Sequence, residues 1–243
     1  HHSNEVLWRE TIADVVVVEE DAAGLVDLDN LKAGLETYAG RPLKIGSFSA
    51  ASNVTGIITN TDAVTTMLHE HGAIACWDFA AAAPYVPIHM NQPEVPDNLA
   101  DKDVVFISPH KFPGGPGTPG ILIIKKALMK NKVPVIPGGG TVSYVSSDEH
   151  RYIDDPEHRE EGGTPEIVGA IRAGLIFQLK EAVGAEDIFS HEKEMARHAI
   201  KTLAGNPAVM ILGNIQTDRL PIISFLIRQG ERYLHHDFVV AVL

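Results

Sequence analysis

Short apolar runs alternate along most of the chain with segments whose apolar residues recur every three or four positions. That alternation predicts strands interleaved with amphipathic helices. Residues 15–18, four valines closed by Glu19-Glu20-Asp21, predict a buried strand, and residues 29–35 predict a helix capped by Asp27 or Asp29. A second strand is expected over 43–48. A second helix is expected over 60–71, stopped by Gly72 where a left-handed residue is wanted. Residues 73–77, 104–107 and 121–124 complete the set of strands. Connections this short imply right-handed crossovers and a largely parallel sheet.

From Pro165 the pattern changes. Residues 167–183 and 188–203 predict two long helices with Gly184 and Gly205 at their ends, followed by strands at 209–212 and 222–227. The expected architecture is α/β: a large domain over residues 1–185, then a linking helix and the beginning of a small α+β domain over 186–243. The chain opens on His1-His2 without a methionine and stops inside an apolar stretch, 237–243, that carries no helix-stop signal. It is therefore expected to be a fragment truncated at both ends.

The net charge of −12 argues against a nucleic-acid or anionic-membrane partner, since phosphates would be repelled. The longest apolar runs, 120–124 and 221–227, are too short to span a bilayer, and no signal peptide is visible. Cys76 is the single cysteine, which excludes an internal disulfide and fits a reducing, cytoplasmic setting.

Ligands of open parallel sheets sit beyond the carboxyl ends of the strands. Three polar clusters fall at such ends: Ser52-Asn53, Asp78 and Ser108-Pro109-His110-Lys111. Each has an ordinary structural explanation when taken singly, as a turn, a solvated carboxylate or a surface lysine. Together they match the needs of pyridoxal 5'-phosphate (PLP) chemistry, which uses a lysine amine for an imine and a carboxylate to keep the pyridine nitrogen protonated. Gly114-Gly115-Pro116-Gly117 after the lysine predicts a mobile approach poor in side chains.

In order along the chain, His1-His2-Ser3-Asn4 with Trp8, Ser52-Asn53-Val54-Thr55-Gly56, Asp78, Ser108-Pro109-His110-Lys111, Gly138-Gly139-Gly140-Thr141 and Glu161-Gly162-Gly163-Thr164-Pro165 resemble the motifs of class V aminotransferases. The branch most similar is that of the cysteine desulfurases and selenocysteine lyases. The resemblance implies the PLP fold-type I (aspartate aminotransferase-like) large domain and an amino-acid substrate. It gives Lys111 the Schiff base and the Cα proton, and Asp78 the pyridine nitrogen. His1 would stack on the ring, Asn53 would bond the phenolic oxygen or the substrate region, and Ser108 and His110 would hold the phosphate. Thr164 would reach the phosphate of the neighbouring subunit in a homodimer.

Four departures accompany the resemblance. Desulfurases commonly carry a glutamine where this chain has Ala81, so one cofactor hydrogen bond is missing or supplied differently. Their nucleophilic cysteine belongs to a loop of the C-terminal domain, whereas Cys76 lies in a predicted strand and reads as a small core residue. Their substrate-carboxylate arginine lies downstream of Leu243, and a phosphate-cradling segment lies upstream of His1. Desulfuration, another class V reaction such as transamination, and an inactive piece that only folds and dimerises are the alternatives left open. No metal site is expected, because His69 and His71 point to different helix faces and the remaining histidine pairs have no converging partners.

Overall fold

The computed structural model describes residues 1–91 and 98–243. Its elements, in chain order, are α1 (Ser3–Arg9), α2 (Leu28–Thr37), β1 (Ile45–Ser49), α3 (Thr61–Glu70), β2 (Ile74–Asp78), β3 (Val104–Ile107), β4 (Ile121–Ile124), β5 (Val142–Val145), β6 (His150–Tyr152), α4 (Pro156–Glu160), α5 (Ile167–Val183), α6 (Ala185–Ala204), β7 (Val209–Ile211), β8 (Phe225–Gln229), β9 (Arg232–Tyr233) and α7 (His236–Val242).

The central sheet runs β1-β2-β3-β4. The first three strands are parallel, and β4 returns antiparallel to β3. Caps set the helices that cover it. The Asp27 carboxylate accepts the N–H groups of Asp29 and Asn30 at the head of α2, and Asn60 accepts that of Ala63 at the head of α3. Leu31 and Leu35 of α2, with Val64, Thr65 and Leu68 of α3, turn onto the sheet and meet Ala75, Trp77 and Val105 in the core. The helix lies close: a Cβ at Gly46 of β1 would stand 2.5 Å from the Leu68 methyls.

Two further sheets are antiparallel: the β5–β6 hairpin and the three-stranded β7-β8-β9, against which α6 packs Ala196 and Ile200. One flank of α5 buries Ala173 and Ile176, whereas Ile167, Val168, Ile171, Leu175 and Leu179 form an exposed apolar ridge along the other.

Three expectations need correction. Residues 15–18 form no strand. They run extended outside any ladder, Val15 to Val17 are exposed, and α1 occupies the neighbouring edge, where Ser47 Oγ bonds Asn4 Oδ1 at 2.6 Å. Valine content signals a taste for strand but supplies no partner. The strand expected at 222–227 begins at Phe225 instead, because Pro221 has no N–H and Ile222 N–H turns back to Leu220 O (2.7 Å). The helix expected from 188 starts at Ala185, directly after Gly184, whose φ of +95° breaks it from α5. The sequence pattern also gave no notice of α1, α4 or the β5–β6 hairpin.

Candidate active site

The parallel register aligns the carboxyl ends of β1, β2 and β3. Ser49 lies beside Asp78 and Asp78 beside Phe106, and the ladder continues through Ala50 N–H to Asp78 O and Phe79 N–H to Phe106 O, each 2.9 Å. Asp78 is the last residue of its strand. Its half-buried carboxylate accepts Ala80 N–H through Oδ1 at 2.7 Å, while Oδ2 has no partner among the described residues. One strand over, Ser108 leads into a 3-10 turn, Pro109–Lys111, closed by Lys111 N–H on Ser108 O (3.1 Å). Phe112 then plugs the core and meets the Phe177 ring of α5 at 5.1 Å. This anchor leaves His110 and Lys111 exposed, and the Lys111 ammonium has no hydrogen bond or ion pair among the described residues.

The glycine-rich segment after Lys111 is wound tightly around Gly115, with Gly114, Pro116 and Gly117 exposed. A Cβ at Gly115 would fall 2.0 Å from Pro109 O, and Thr118 Oγ donates to Gly115 O at 2.7 Å. Lys180 braces the same region from α5. Its ammonium donates to Ala83 O (2.6 Å) and Val86 O and lies 5.8 Å from the Phe112 ring centre, and burial pushes its pKa down to about 8. Arg172, the other cation of this largely apolar helix, donates to Pro116 O at 2.8 Å, and the two cations were the sequence signal for the brace, which was missed.

The remaining candidates stand apart. His1 and Asn53 line a cavity of about 870 Å³ that follows the outer edge of β1, bounded also by Trp8, Val15 to Val18 and Phe48. His1 Nδ1 accepts Ser3 N–H at 3.0 Å, and its ring leans on His2 with centres 4.0 Å apart. Asn53 projects from an exposed turn. Thr164 is exposed at the foot of α5, next to Gly163, whose N–H donates to Gly139 O at 2.7 Å and so ties the segment to the turn preceding β5. Among the described residues no hydrogen bond or ion pair joins His1, Asn53 or Thr164 to Asp78 or Lys111.

Cys76 is buried at 5% exposure, and burial, with the nearby Asp103 carboxylate, raises its thiol pKa to about 11. A thiol so protonated is a core group rather than a nucleophile. The amino-terminal end of the sheet carries a separate polar cluster. Asp103 accepts Ala75 N–H (2.9 Å), His69 Nε2 (2.8 Å) and Lys125 Nζ (3.0 Å), and buried Lys102 reaches Asp62 at 2.9 Å. Among the described residues, the group of His, Cys, Asp or Glu close enough to share a metal ion is His235, His236 and Asp237. These are three consecutive exposed residues at the head of the seven-residue α7.

The donor set at the ends of β2 and β3 fits PLP. It offers an amine with no partner, a half-buried carboxylate with a vacant oxygen, and a hydroxyl and an imidazole flanking the amine. A mostly parallel sheet with these groups at its carboxyl rim belongs to PLP fold-type I. The fold matches an apo cysteine desulfurase of Thermococcus onnurineus with a TM-score of 0.82 at 24% identity, over 100% of this chain and 57% of that one. It matches a cysteine desulfurase of Escherichia coli in an S-sulfonic acid form with a TM-score of 0.81 at 26% identity, over 99% of this chain and 56% of that one.

The family model for class-V aminotransferases matches residues 1–241, and the chain belongs to that family. Curated relatives include a probable cysteine desulfurase of Streptomyces coelicolor, 28% identical over 88% of this chain and 49% of its own length. Another, from Staphylococcus epidermidis, is 30% identical over 100% of this chain and 56% of its own. The chain thus spans about half the length of the relatives it matches. No helix among the described residues is long and apolar enough to cross a membrane.

Proposed function

We propose that these residues form the cofactor-holding part of a PLP-dependent enzyme of amino-acid metabolism, of cysteine desulfurase type, acting in the cytoplasm. The reading rests above all on one observation: an unpartnered lysine amine and a carboxylate with a vacant oxygen stand at the carboxyl ends of adjacent parallel strands. PLP, when bound, supplies an electron sink that weakens bonds at the Cα of an amino acid.

Asp78 keeps the pyridine nitrogen protonated, aided by a half-buried setting that strengthens ion pairing. Lys111 holds the cofactor through Nζ and, once released, carries the Cα proton. Ser108 and His110 would bind the phosphate, Asn53 would bond the phenolic oxygen or the substrate region, and His1 would cover the ring. The division into residues 1–185 and 186–243 is part of the same reading. A homodimer in which Thr164 serves the neighbouring site is supported by the exposed apolar ridge of α5 that starts three residues later, a surface of the kind partners cover.

Sulfur transfer needs a nucleophilic thiol. The chain's one cysteine is buried and held protonated, so the thiol would come from elsewhere in the protein or from a second molecule. That observation also keeps transamination as a second reading. Adding PLP to the purified chain should produce a visible absorbance that Lys111→Ala abolishes, and borohydride should bleach it while fixing the cofactor covalently on Lys111. A wild-type chain that stays colourless, or a band that persists in Lys111→Ala, would refute the assignment.

A further inference from the structure

The turn that carries Asn53 closes on itself along one side. Ser52 Oγ accepts the N–H groups of Val54 (3.2 Å) and Thr55 (3.1 Å), and Gly56 N–H reaches Ser52 O at 2.9 Å. Its other side presents three consecutive carbonyls, and one distant segment takes all three. Ser224 Oγ donates to Val54 O (2.7 Å), Arg219 Nη2 to Thr55 O, and Leu220 N–H to Gly56 O (2.8 Å). Ile58 N–H completes the seam on Asp218 O at 3.1 Å.

The fit is close. A Cβ at Gly56, where φ is +75°, would stand 2.9 Å from the carbonyls of Leu220 and Ile222, and one at Gly213 would stand 2.8 Å from Thr55. Arg219 is 4% exposed. The nitrogen on Thr55 O also reaches Ile222 O (3.2 Å) and Leu212 O (3.4 Å), so a single guanidinium nitrogen faces three carbonyls. Its Nε and Nη1 have no partner among the described residues. Burying a charge on neutral carbonyls alone is unfavourable, and an apolar side chain would fill the same volume more cheaply. What the guanidinium adds is a rigid, permanently charged fork that fixes the geometry of what it holds.

We propose that Arg219 is a positioning residue for the candidate site: by clasping the 52–56 turn it sets where Asn53 stands. The inference rests on the reading that Asn53 bonds the cofactor's phenolic oxygen. It adds that the segment 212–224, assigned above to the small domain, governs that bond. Asp218 extends the clasp to α6 through its 2.6 Å ion pair with Lys193.

The test uses the 243-residue chain with Arg219→Met, Arg219→Lys, Ser224→Ala and Asn53→Ala. Losing the clasp should speed amide exchange at Gly56 and Ile58 about tenfold in Arg219→Met, the effect of one lost hydrogen bond. Exchange at Trp77 and Val105 should be unchanged. Arg219→Lys, which keeps the charge with a single donor head, should fall between. With PLP added, the pH midpoint of the Lys111-dependent absorbance should rise in Arg219→Met as it does in Asn53→Ala, because a phenolic oxygen that loses a donor is more basic. The double variant should shift no further than either single one.

Unchanged exchange at 52–58, acceleration spread evenly over the sheet, or additive midpoint shifts would overturn the proposal. Should Arg219→Met fail to fold, Ser224→Ala carries the exchange test through its contact on Val54 O. If the wild-type chain shows no Lys111-dependent absorbance, the cofactor reading fails on its own, and the exchange arm still decides whether Arg219 holds the turn.

Discussion

Replacing Thr65 with valine should destabilise the fold while leaving its packing almost untouched. Trp77 is 0% exposed on β2, and its indole N–H has a single partner, Thr65 Oγ at 2.8 Å, which is itself wholly buried. Valine keeps the branched shape but removes the acceptor, so a donor is left sealed in the core. That costs about 1–3 kcal/mol, more than the roughly 1 kcal/mol net worth of a typical hydrogen bond, because no water replaces the lost oxygen. With a urea slope of about 2–3 kcal/mol per molar, the unfolding midpoint should fall by roughly 0.3–1.5 M, followed by far-UV circular dichroism, which reads both backgrounds alike. The decisive comparison repeats the substitution in a Trp77→Phe background, where no N–H remains to be orphaned. There Thr65→Val should cost under about 0.5 kcal/mol. An equal loss in both backgrounds would mean that the cost lies in helix packing, and the reasoning would be wrong.

Gly46→Ala should cost about 1–3 kcal/mol in thermal or urea unfolding, since the added methyl lands 2.5 Å from the Leu68 methyls and forces that buried side chain to repack; Leu68→Ala in the same chain should recover part of the loss. Asp103 ties stability to acid: burial alone would raise its pKa, but Ala75 N–H, His69 and Lys125 together hold it below the ordinary 3.8. Its contribution is therefore complete above about pH 4 and vanishes as pH falls through the depressed folded value. Asp103→Asn should accordingly be less stable than wild type at pH 7, with the gap closing in strong acid; a gap independent of pH would contradict the assignment. Cys76, with its thiol pKa near 11, should resist iodoacetamide at pH 8 in the folded chain and react promptly in denaturant. Rapid native alkylation would refute its burial.

Much of the scaffold was readable because the code there is local. Asp27 and Asn60 as caps, Gly72 as a left-handed stop with φ of +66°, and the 3.6-residue spacing of Leu31, Leu35, Val64 and Leu68 each declare an element within a few residues. The order of polar residues at strand ends was equally legible, since a parallel sheet brings the carboxyl ends of β1, β2 and β3 to one rim whatever the loop lengths. Pairing was not legible. Residues 15–18 have the composition of a strand but no ladder, and nothing nearby in sequence announces that α1 sits against β1. The residues that brace the candidate site were hidden for the same reason: Lys180 reaches carbonyls more than 90 residues away, and Arg219 one that is 164 away. Such long-range bonds between a side chain and the backbone leave no periodicity behind.

Because β4 runs against its neighbour, the chain is delivered back to the rim opposite Lys111, where Lys125 closes onto Asp103. The sheet therefore has two unlike poles, the candidate site's groups gathered at one and ionic mooring at the other. Charge can be redesigned at the moored pole, to raise acid tolerance for instance, without replacing any residue of the candidate site.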